Sequence, residues 1–256
     1  MPSKPPTCST LASGRSVAWL ARLFRVQEVV SSNLTAPTIF QFTIYDLETR
    51  MEGHNDLVVQ LASIIAPLNL GELFPAPQPL EVELGCGDAS FLVEYARRHP
   101  DRNFIGVERL LGRLRKLDRK GRRTGLTNLR GVQIESAYFL QYLLPPHVAT
   151  ALHIYFPDPW PKKKHRKNRL VNESFPRRAR GALAPGGVVF LRTDDADYFA
   201  QMTAVFGASA EFLKVETPAE LLELLTDFER EFNARGIGTL RAAYQNRQQP
   251  LSAASF

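Results

Sequence analysis

Leu80-Glu81-Val82-Glu83-Leu84-Gly85-Cys86-Gly87-Asp88 alternates aliphatic and acidic side chains for five residues and then breaks on two glycines. Period-two alternation is the signature of an extended strand. Glycine at 85 and 87 lets the chain turn sharply and pass close to a ligand with no Cβ in the way. Helical spacing follows over 89–98, with Phe91, Leu92 and Tyr95 on one side, and it stops ahead of Pro100. A strand, a glycine turn and a short helix in that order open an α/β unit.

The same rhythm continues downstream. Apolar runs over 104–108, 129–134, 151–156 and 188–192 read as strands, and the basic run over 110–124 reads as a helix with Leu110, Leu114 and Leu117 on its inner side. A helix is expected over 172–183, ended by a turn at Pro185-Gly186-Gly187, with further helices over 197–206 and 219–232. A strand near Phe212 and another over 240–244 complete the pattern. Short apolar strands alternating with helices of ten to fifteen residues predict a largely parallel sheet covered on both faces. There is no internal repeat.

Composition agrees. The 256 residues are 44% hydrophobic and 23% charged, which is ordinary for a globular chain. No apolar run approaches the ~18 residues of a membrane span, so no membrane partner is expected. Cys8 and Cys86 are the only cysteines, too few for a disulfide framework or a four-ligand zinc site. No metal is expected, and a reducing cytoplasm is the expected compartment. The formal charge is +6, but its distribution matters more. Residues 109–123 hold eight basic side chains (Arg109, Arg113, Arg115, Lys116, Arg119, Lys120, Arg122, Arg123) against Asp118 alone, and residues 162–169 hold six more in eight positions. A charge run is usually a solvated face; two dense ones point to a polyanionic partner.

In an open parallel sheet, ligands sit beyond the carboxyl ends of the strands near the point where strand order reverses. A dinucleotide fingerprint would place a third Gly or Ala at position 90, where Ser90 stands. Glu83 is an awkward neighbour for a pyrophosphate but suits the cationic sulfonium and amino group of S-adenosylmethionine, which disfavours a nicotinamide-dependent enzyme. Glu108, at the end of the second strand, suits a pair of ribose hydroxyls. Just after the strand over 151–156 comes Phe156-Pro157-Asp158-Pro159-Trp160-Pro161-Lys162-Lys163-Lys164-His165-Arg166-Lys167-Asn168-Arg169. Prolines on both sides hold Asp158 in an extended conformation of low entropy, Trp160 offers a large face, and the cations that follow suit phosphates.

With these motifs the chain resembles the tRNA (guanine-N7)-methyltransferase family over roughly residues 57–244. The match is carried by residues 83–87, 105–108, 128–130, 156–169, 192–194 and Thr226-Asp227-Phe228-Glu229. The resemblance implies a Rossmann-like methyltransferase fold with a seven-stranded, mostly parallel sheet and helices on both faces. It implies S-adenosylmethionine as donor and methylation of guanine 46 in the tRNA variable loop. By motif, Glu83, Gly85, Gly87, Glu108, Ser136 and Asp158 would hold the donor, with Asp158 also catalytic. Lys162, Asp194, Thr226, Asp227, Phe228 and Glu229 would contact the substrate, and Lys164, His165, Arg166, Lys167, Asn168 and Arg169 the RNA. Two departures stand out. Ser136 occupies the place of the usual adenine-side acid, and Thr193-Asp194-Asp195 replaces the usual Thr-Asp-Trp.

Guanine N7 carries a lone pair and no proton, so the chemistry expected here is alignment rather than base catalysis, with Asp158 orienting the base and Asp194 a second candidate. His153 reads as a satisfied core histidine and Cys86 as a residue chosen for size. The alternatives are an RNA methyltransferase with another target and a non-catalytic RNA-binding protein. tRNA is the expected partner of a monomer or weak homodimer.

Residues 1–50 differ from the rest, with no acid before Glu28. An organellar transit peptide is acid-poor in this way. Residues 14–38, however, resemble the conceptual translation of a tRNA gene, with Ser32-Asn33 matching one frame of its TψC arm. The segment is expected to be a non-native or disordered extension. The true start is then expected close to Met51, with one methyltransferase domain over 51–256.

Overall fold

The computed structural model describes residues 56–247, so the expectations for residues 1–50, including Cys8, lie outside the described residues. Its strands are β1 (Val58–Val59), β2 (Leu80–Leu84), β3 (Asn103–Glu108), β4 (Leu129–Gln133), β5 (Ala149–Tyr155), β6 (Leu183–Thr193), β7 (Phe212–Val215) and β8 (Leu240–Asn246). They form a sheet of order β1-β4-β3-β2-β5-β6-β8-β7. All neighbours are parallel except the β6–β8 and β7–β8 pairs. The helices are α1 (Leu70–Leu73), α2 (Ser90–Arg98), α3 (Leu111–Arg123), α4 (Ser136–Tyr138), α5 (Phe175–Ala182), α6 (Ala196–Gly207), α7 (Ala219–Glu223) and α8 (Asp227–Ala234).

The expected seven strands become eight. Val58 and Val59 pair with Gly131 and Val132 at the sheet edge, and two residues are too few for any periodicity to be visible beforehand. The helix expected over 172–183 begins only at Phe175, with Pro176 in its first turn. Pro185-Gly186-Gly187 does not end a helix: it lies inside β6, where Gly186 takes φ 75° and the register against β5 shifts. The helix expected over 219–232 is two helices. Thr226 closes a capping box with Glu229 that starts α8 afresh, and the carbonyl of Leu224 is taken by Arg192 Nη1 at 3.0 Å.

β2 lies between β3 and β5, which makes it the switch point of the sheet. Every residue of β2 is buried despite its alternating pattern. Leu80, Val82 and Leu84 enter one apolar cluster with Ile105, Leu152 and Val189, each worth roughly 1.5–3 kcal/mol of transfer free energy. The opposite cluster is built by α2 and α3, through Phe91, Leu92, Leu114 and Leu117. These helices seat closely because Gly106 of β3 has no side chain: a Cβ there would lie 2.9 Å from each of Cys86 Sγ, Leu117 Cδ1 and Leu92 Cδ2. Gly106→Ala is therefore expected to destabilise the fold by about 1–3 kcal/mol through overpacking, read as a lower urea midpoint with an unchanged slope.

Candidate active site

β2 ends in a turn whose geometry only small residues tolerate well. Gly85 and Gly87 take φ of 80° and 56°, and Ala89 follows at 57°. The amides of Gly85 and Cys86 both donate to the carbonyl of Val107, at 2.8 and 3.0 Å, which ties the turn to the end of β3. Glu108 closes the same corner. Its Oε2 accepts from the Gly87 amide at 3.2 Å and its Oε1 from the Leu110 amide at 2.9 Å, with Arg113 Nη1 3.5 Å away. Beside this corner lies a cleft of about 350 Å³. Gly85, Glu108, Ser136, Phe156, Asp158 and Asn168 are among the residues that line it. The sheet thus brings together, from distant parts of the chain, most of the residues assigned to the donor.

Asp158 stands exposed on the cleft wall, with no hydrogen bond or ion pair to any described residue. Its loop carries two non-glycine residues in the left-handed region, Phe156 at φ 50° and Trp160 at 44°. That conformation is costly for side chains with a Cβ and persists only where the surroundings enforce it. The Phe156 ring packs against Phe232 and Phe228, with centroids 5.7 and 6.1 Å away. Phe228 itself remains 49% exposed.

Glu83 is placed differently from expectation: it is buried beneath the turn and is not part of the cleft wall. Burial pushes its carboxyl well above the usual range, with Arg192 pulling the other way and Asp88 and Glu108 adding to the rise. One oxygen, Oε2, is buried with no hydrogen-bond partner among the described residues. Its strand neighbour Glu81 shows the contrast. Burial opposes its ionisation too, but His153 and Arg102 outweigh that and hold its carboxyl below the usual value. His153 is fully internal, with Nε2 2.7 Å from Glu81 Oε2 and Nδ1 2.8 Å from Tyr155 OH, a satisfied core histidine as expected. Cys86 is buried as well, and burial raises its thiol well above the usual value.

Several residues assigned to substrate turn out to be internal. Thr226 and Glu229 are buried and cap each other. Glu229 also accepts from Arg192 Nη1 at 2.7 Å and Arg241 Nη2 at 2.8 Å. Neither is open to a ligand, whereas Asp227 and Phe228 are. Asp227 is hydrogen-bonded by Ser90 and paired with Arg230. In the cation run, Lys162, Lys164, Arg166, Lys167 and Asn168 are exposed and His165 is half-buried against Trp160, but Arg169 is buried. It is not placed to meet a phosphate. Asp194 is exposed after β6, and the departure at position 195 has a structural use: Asp195 caps α6, accepting from the Tyr198 amide at 2.7 Å.

Two features escaped the sequence. Glu135 lines the cleft beside Ser136, so an acid is present one residue from the expected place; its oxygens accept from the Ala137 and Tyr138 amides at 2.9 and 2.8 Å. An acid one residue ahead of a short helix was the available signal. The other is a tether beneath the turn: Lys120 Nζ donates to Asp88 Oδ2 and Ser90 Oγ, both at 2.8 Å. Burial works against Asp88, yet these bonds and those from Ser90 bring its carboxyl down to about 2.

Residues 77–242 match the family model described as "Putative methyltransferase". A tRNA (guanine-N(7)-)-methyltransferase of Alkalilimnicola ehrlichii is 32% identical over 188 residues, covering 72% of this chain and 79% of that protein. The chain belongs to the tRNA (guanine-N7)-methyltransferase family. Like-named proteins of Syntrophotalea carbinolica and Rubrobacter xylanophilus are 37% and 40% identical, covering 56% and 53% of this chain. Those two matches span 61% and 60% of the relatives' own length, under two thirds of each. Among solved structures, the 16S rRNA (adenine(1408)-N(1))-methyltransferase of Catenulisporales acidiphilia superposes with a TM-score of 0.51 at 16% identity, covering 75% of this chain and 97% of that one. The 16S rRNA methyltransferase KamB gives 0.50 at 16% identity, with 69% and 92% covered. At that identity the likeness establishes the Rossmann-like methyltransferase fold of the family.

Glu83 provides a test by pH. Its folded carboxyl holds its proton to higher pH than the unfolded one, so its contribution to stability is full below the ordinary value of 4.5 and is lost as pH rises toward the folded value. Glu83→Gln removes that loss. Without ligand, the variant's stability advantage over wild type is expected to widen from pH 4.5 upward, by up to about 1.4 kcal/mol per pH unit. Urea titrations at pH 4, 6 and 8 measure it, and a pH-independent difference would contradict it.

Proposed function

We propose that this chain transfers a methyl group from S-adenosylmethionine to N7 of guanine 46 in the variable loop of tRNA. The observation that carries the proposal is the carboxylate of Asp158, between two prolines and without a hydrogen-bond or ion-pair partner among the described residues, on the wall of the cleft shared with Gly85 and Glu108. The names of the relatives support the tRNA substrate and the guanine-N7 target.

The residues present fit the donor. Glu83 Oε2, beneath the turn rather than on the cleft wall, is a buried oxygen with no hydrogen-bond partner among the described residues, and in its ionised form it suits the donor's cationic end. Space is open where a Cβ at Gly85 or Gly87 would stand. Glu108 uses its oxygens on main-chain amides but retains lone pairs for ribose hydroxyls, and Ser136 offers a hydroxyl on the adenine side. When bound, this group supplies a methyl on a cationic sulfur.

What the protein adds is orientation. N7 needs no proton removed, so no general base is required. Asp158 accepts from guanine N1–H and the exocyclic amine, which fixes the base and raises electron density toward N7. Alignment of this kind supplies ~7–11 kcal/mol of a barrier. Asp194 and the exposed face of Phe228 are the further substrate contacts in this proposal, and the cytoplasm, where tRNA is abundant, is the compartment.

Phosphates are met by Lys162, Lys164 and Lys167, by Arg166, whose guanidinium also pairs with Asp197 at 3.0 Å, and by one ridge of α3. Arg113, Lys120 and Arg122 are already paired with Glu108, Asp88 and Asp118. Arg115, Arg119 and Arg123 are exposed one turn apart, with no acidic partner among the described residues. Like charges at that spacing cost a few tenths of a kcal/mol per pair in the free protein, and a polyanion relieves it. Replacing these three arginines with Gln is expected to flatten the dependence of tRNA affinity on salt, by about 0.7–0.9 in log–log slope for each phosphate no longer neutralised. An unchanged slope would leave the ridge a solvated face.

The decisive experiment incubates the protein with labelled donor and unmodified tRNA, then maps 7-methylguanosine by borohydride and aniline cleavage. A single cut in the variable loop is expected. Absence of label, or label elsewhere, would refute the assignment. Asp158→Asn should retain the fold and lower turnover about 10–100-fold, since it weakens a charge-assisted hydrogen bond worth about 1.5–3 kcal/mol.

A further inference from the structure

Arg169 ends the cation run of residues 162–169, and by sequence it belongs with the RNA contacts. The structure separates it from the others: it is 1% exposed, while Lys162, Lys164, Arg166 and Lys167 are open to solvent. Its guanidinium turns back under the run. Nε donates to the carbonyl of Pro159 at 2.7 Å, Nη1 to Gln201 Oε1 at 2.8 Å and Nη2 to Asp197 Oδ2 at 2.7 Å. The plane lies over the Tyr198 ring, 4.7 Å from its centroid. Gln201 and Tyr198 are themselves held, Gln201 Nε2 donating to the Val171 carbonyl and Tyr198 OH accepting from the Val171 amide, each at 2.9 Å. The guanidinium therefore rests on α6, a fixed part of the fold.

The loop it reaches has little else to hold it. Pro157, Pro159 and Pro161 have no amide hydrogen to donate. The Phe156 amide donates to the Arg192 carbonyl at 2.8 Å, and the next main-chain bond is from His165 to the Lys162 carbonyl at 2.7 Å. Among the described residues, Arg169 to Pro159 is the only hydrogen bond made to residues 157–161. It grips the residue next to Asp158, between the two left-handed positions Phe156 and Trp160. We infer that Arg169 is a positioning residue, which sets the place of the Asp158 carboxylate by anchoring the Pro159 carbonyl to α6, rather than a contact to RNA phosphate.

Arginine suits this task because its planar fork serves three acceptors at once, which a lysine ammonium at the end of a flexible stem does not. A misplacement of about 1 Å at a reacting group costs on the order of 10²-fold in rate. The test compares wild type, Arg169→Lys, Arg169→Gln and Asp197→Asn, each with Trp19→Phe so that Trp160 is the only tryptophan. Asp197 is half-exposed, so its variant keeps the fold if the first does not.

For Arg169→Lys, kcat is expected to fall by on the order of 10²-fold with KM for tRNA and the salt slope unchanged, and acrylamide quenching of Trp160 is expected to rise. Asp197→Asn, which also releases Arg166 from its ion pair with Asp197, should show the same fall in kcat and rise in quenching to a smaller degree. Because lysine keeps the positive charge, Arg169→Gln reads the alternative: weaker tRNA affinity, a salt slope shallower by about 0.7–0.9 and unchanged kcat in that variant would overturn the inference and return Arg169 to the RNA-binding set. Unchanged quenching in Arg169→Lys and Asp197→Asn would also overturn it. The inference rests on the proposed methyl transfer, but the two can fail separately. If wild type does not methylate tRNA, the functional proposal fails, while quenching of Trp160 still decides whether Arg169 holds the loop.

Discussion

A carboxylate on a strand with no solvent on either face must find a partner or give up its charge, and the cleft side of this protein is organised around that requirement. β2 carries two such groups. Glu81 is answered by His153 and Arg102. Glu83 keeps one oxygen unanswered among the described residues and lies in the field of Arg192. Arg192 is buried as well, so it needs an anion of its own and finds Glu229, which in turn takes Arg241. Breaking such a pair from one side leaves a buried charge, at a cost of about 3–5 kcal/mol. This sequence of obligations fixes the start of α8, whose Phe232 and Phe228 then pack against Phe156 at the root of the Asp158 loop. Glu83 and the root of the Asp158 loop are thus linked through the buried charges of Arg192 and Glu229 and then through the rings of α8.

The cations divide along the same line. Some serve the fold: Lys120 ties Asp88 and Ser90 beneath the turn, Arg122 pairs with Asp118, and Arg169 holds Pro159. Others meet no acid among the described residues and face solvent, among them Arg115, Arg119 and Lys164. Net charge states only the sum of the two groups. The density of the runs pointed to a polyanion; local spacing shows the Asp118–Arg122 pair, four residues apart on one helix, but it cannot show that Lys120 and Arg169 are engaged, because their acids lie elsewhere in the chain. Asp197 lies twenty-eight positions from Arg169 and Asp88 thirty-two from Lys120.

Legibility differed in the same way among the elements. β2, β3, α2 and α3 were readable because a strand of five or six residues or a helix of nine or more carries its own period. The break between α7 and α8 was not, since Leu221 to Phe232 is apolar at helical spacing throughout; the break is made by a capping box and by Arg192 reaching in from β6. The continuation of β6 through Pro185-Gly186-Gly187 was missed because those residues ordinarily end elements, while here they sit in a register shift against β5.

The amino-acid sequence by itself determined the alternation of strands and helices, the glycine turn at the switch strand, and the rigid Pro-Asp-Pro segment after β5. Each follows from backbone sterics and side-chain periodicity within a few residues. Only the tertiary structure decided which polar and charged residues stand open to solvent and which are buried within the fold. Thr226, Glu229 and Arg169 carry the same chemistry as their exposed neighbours, and their roles depend on whether a distant partner and the exclusion of water reach them first. Burial is a property of the packed whole, so no local pattern could announce it.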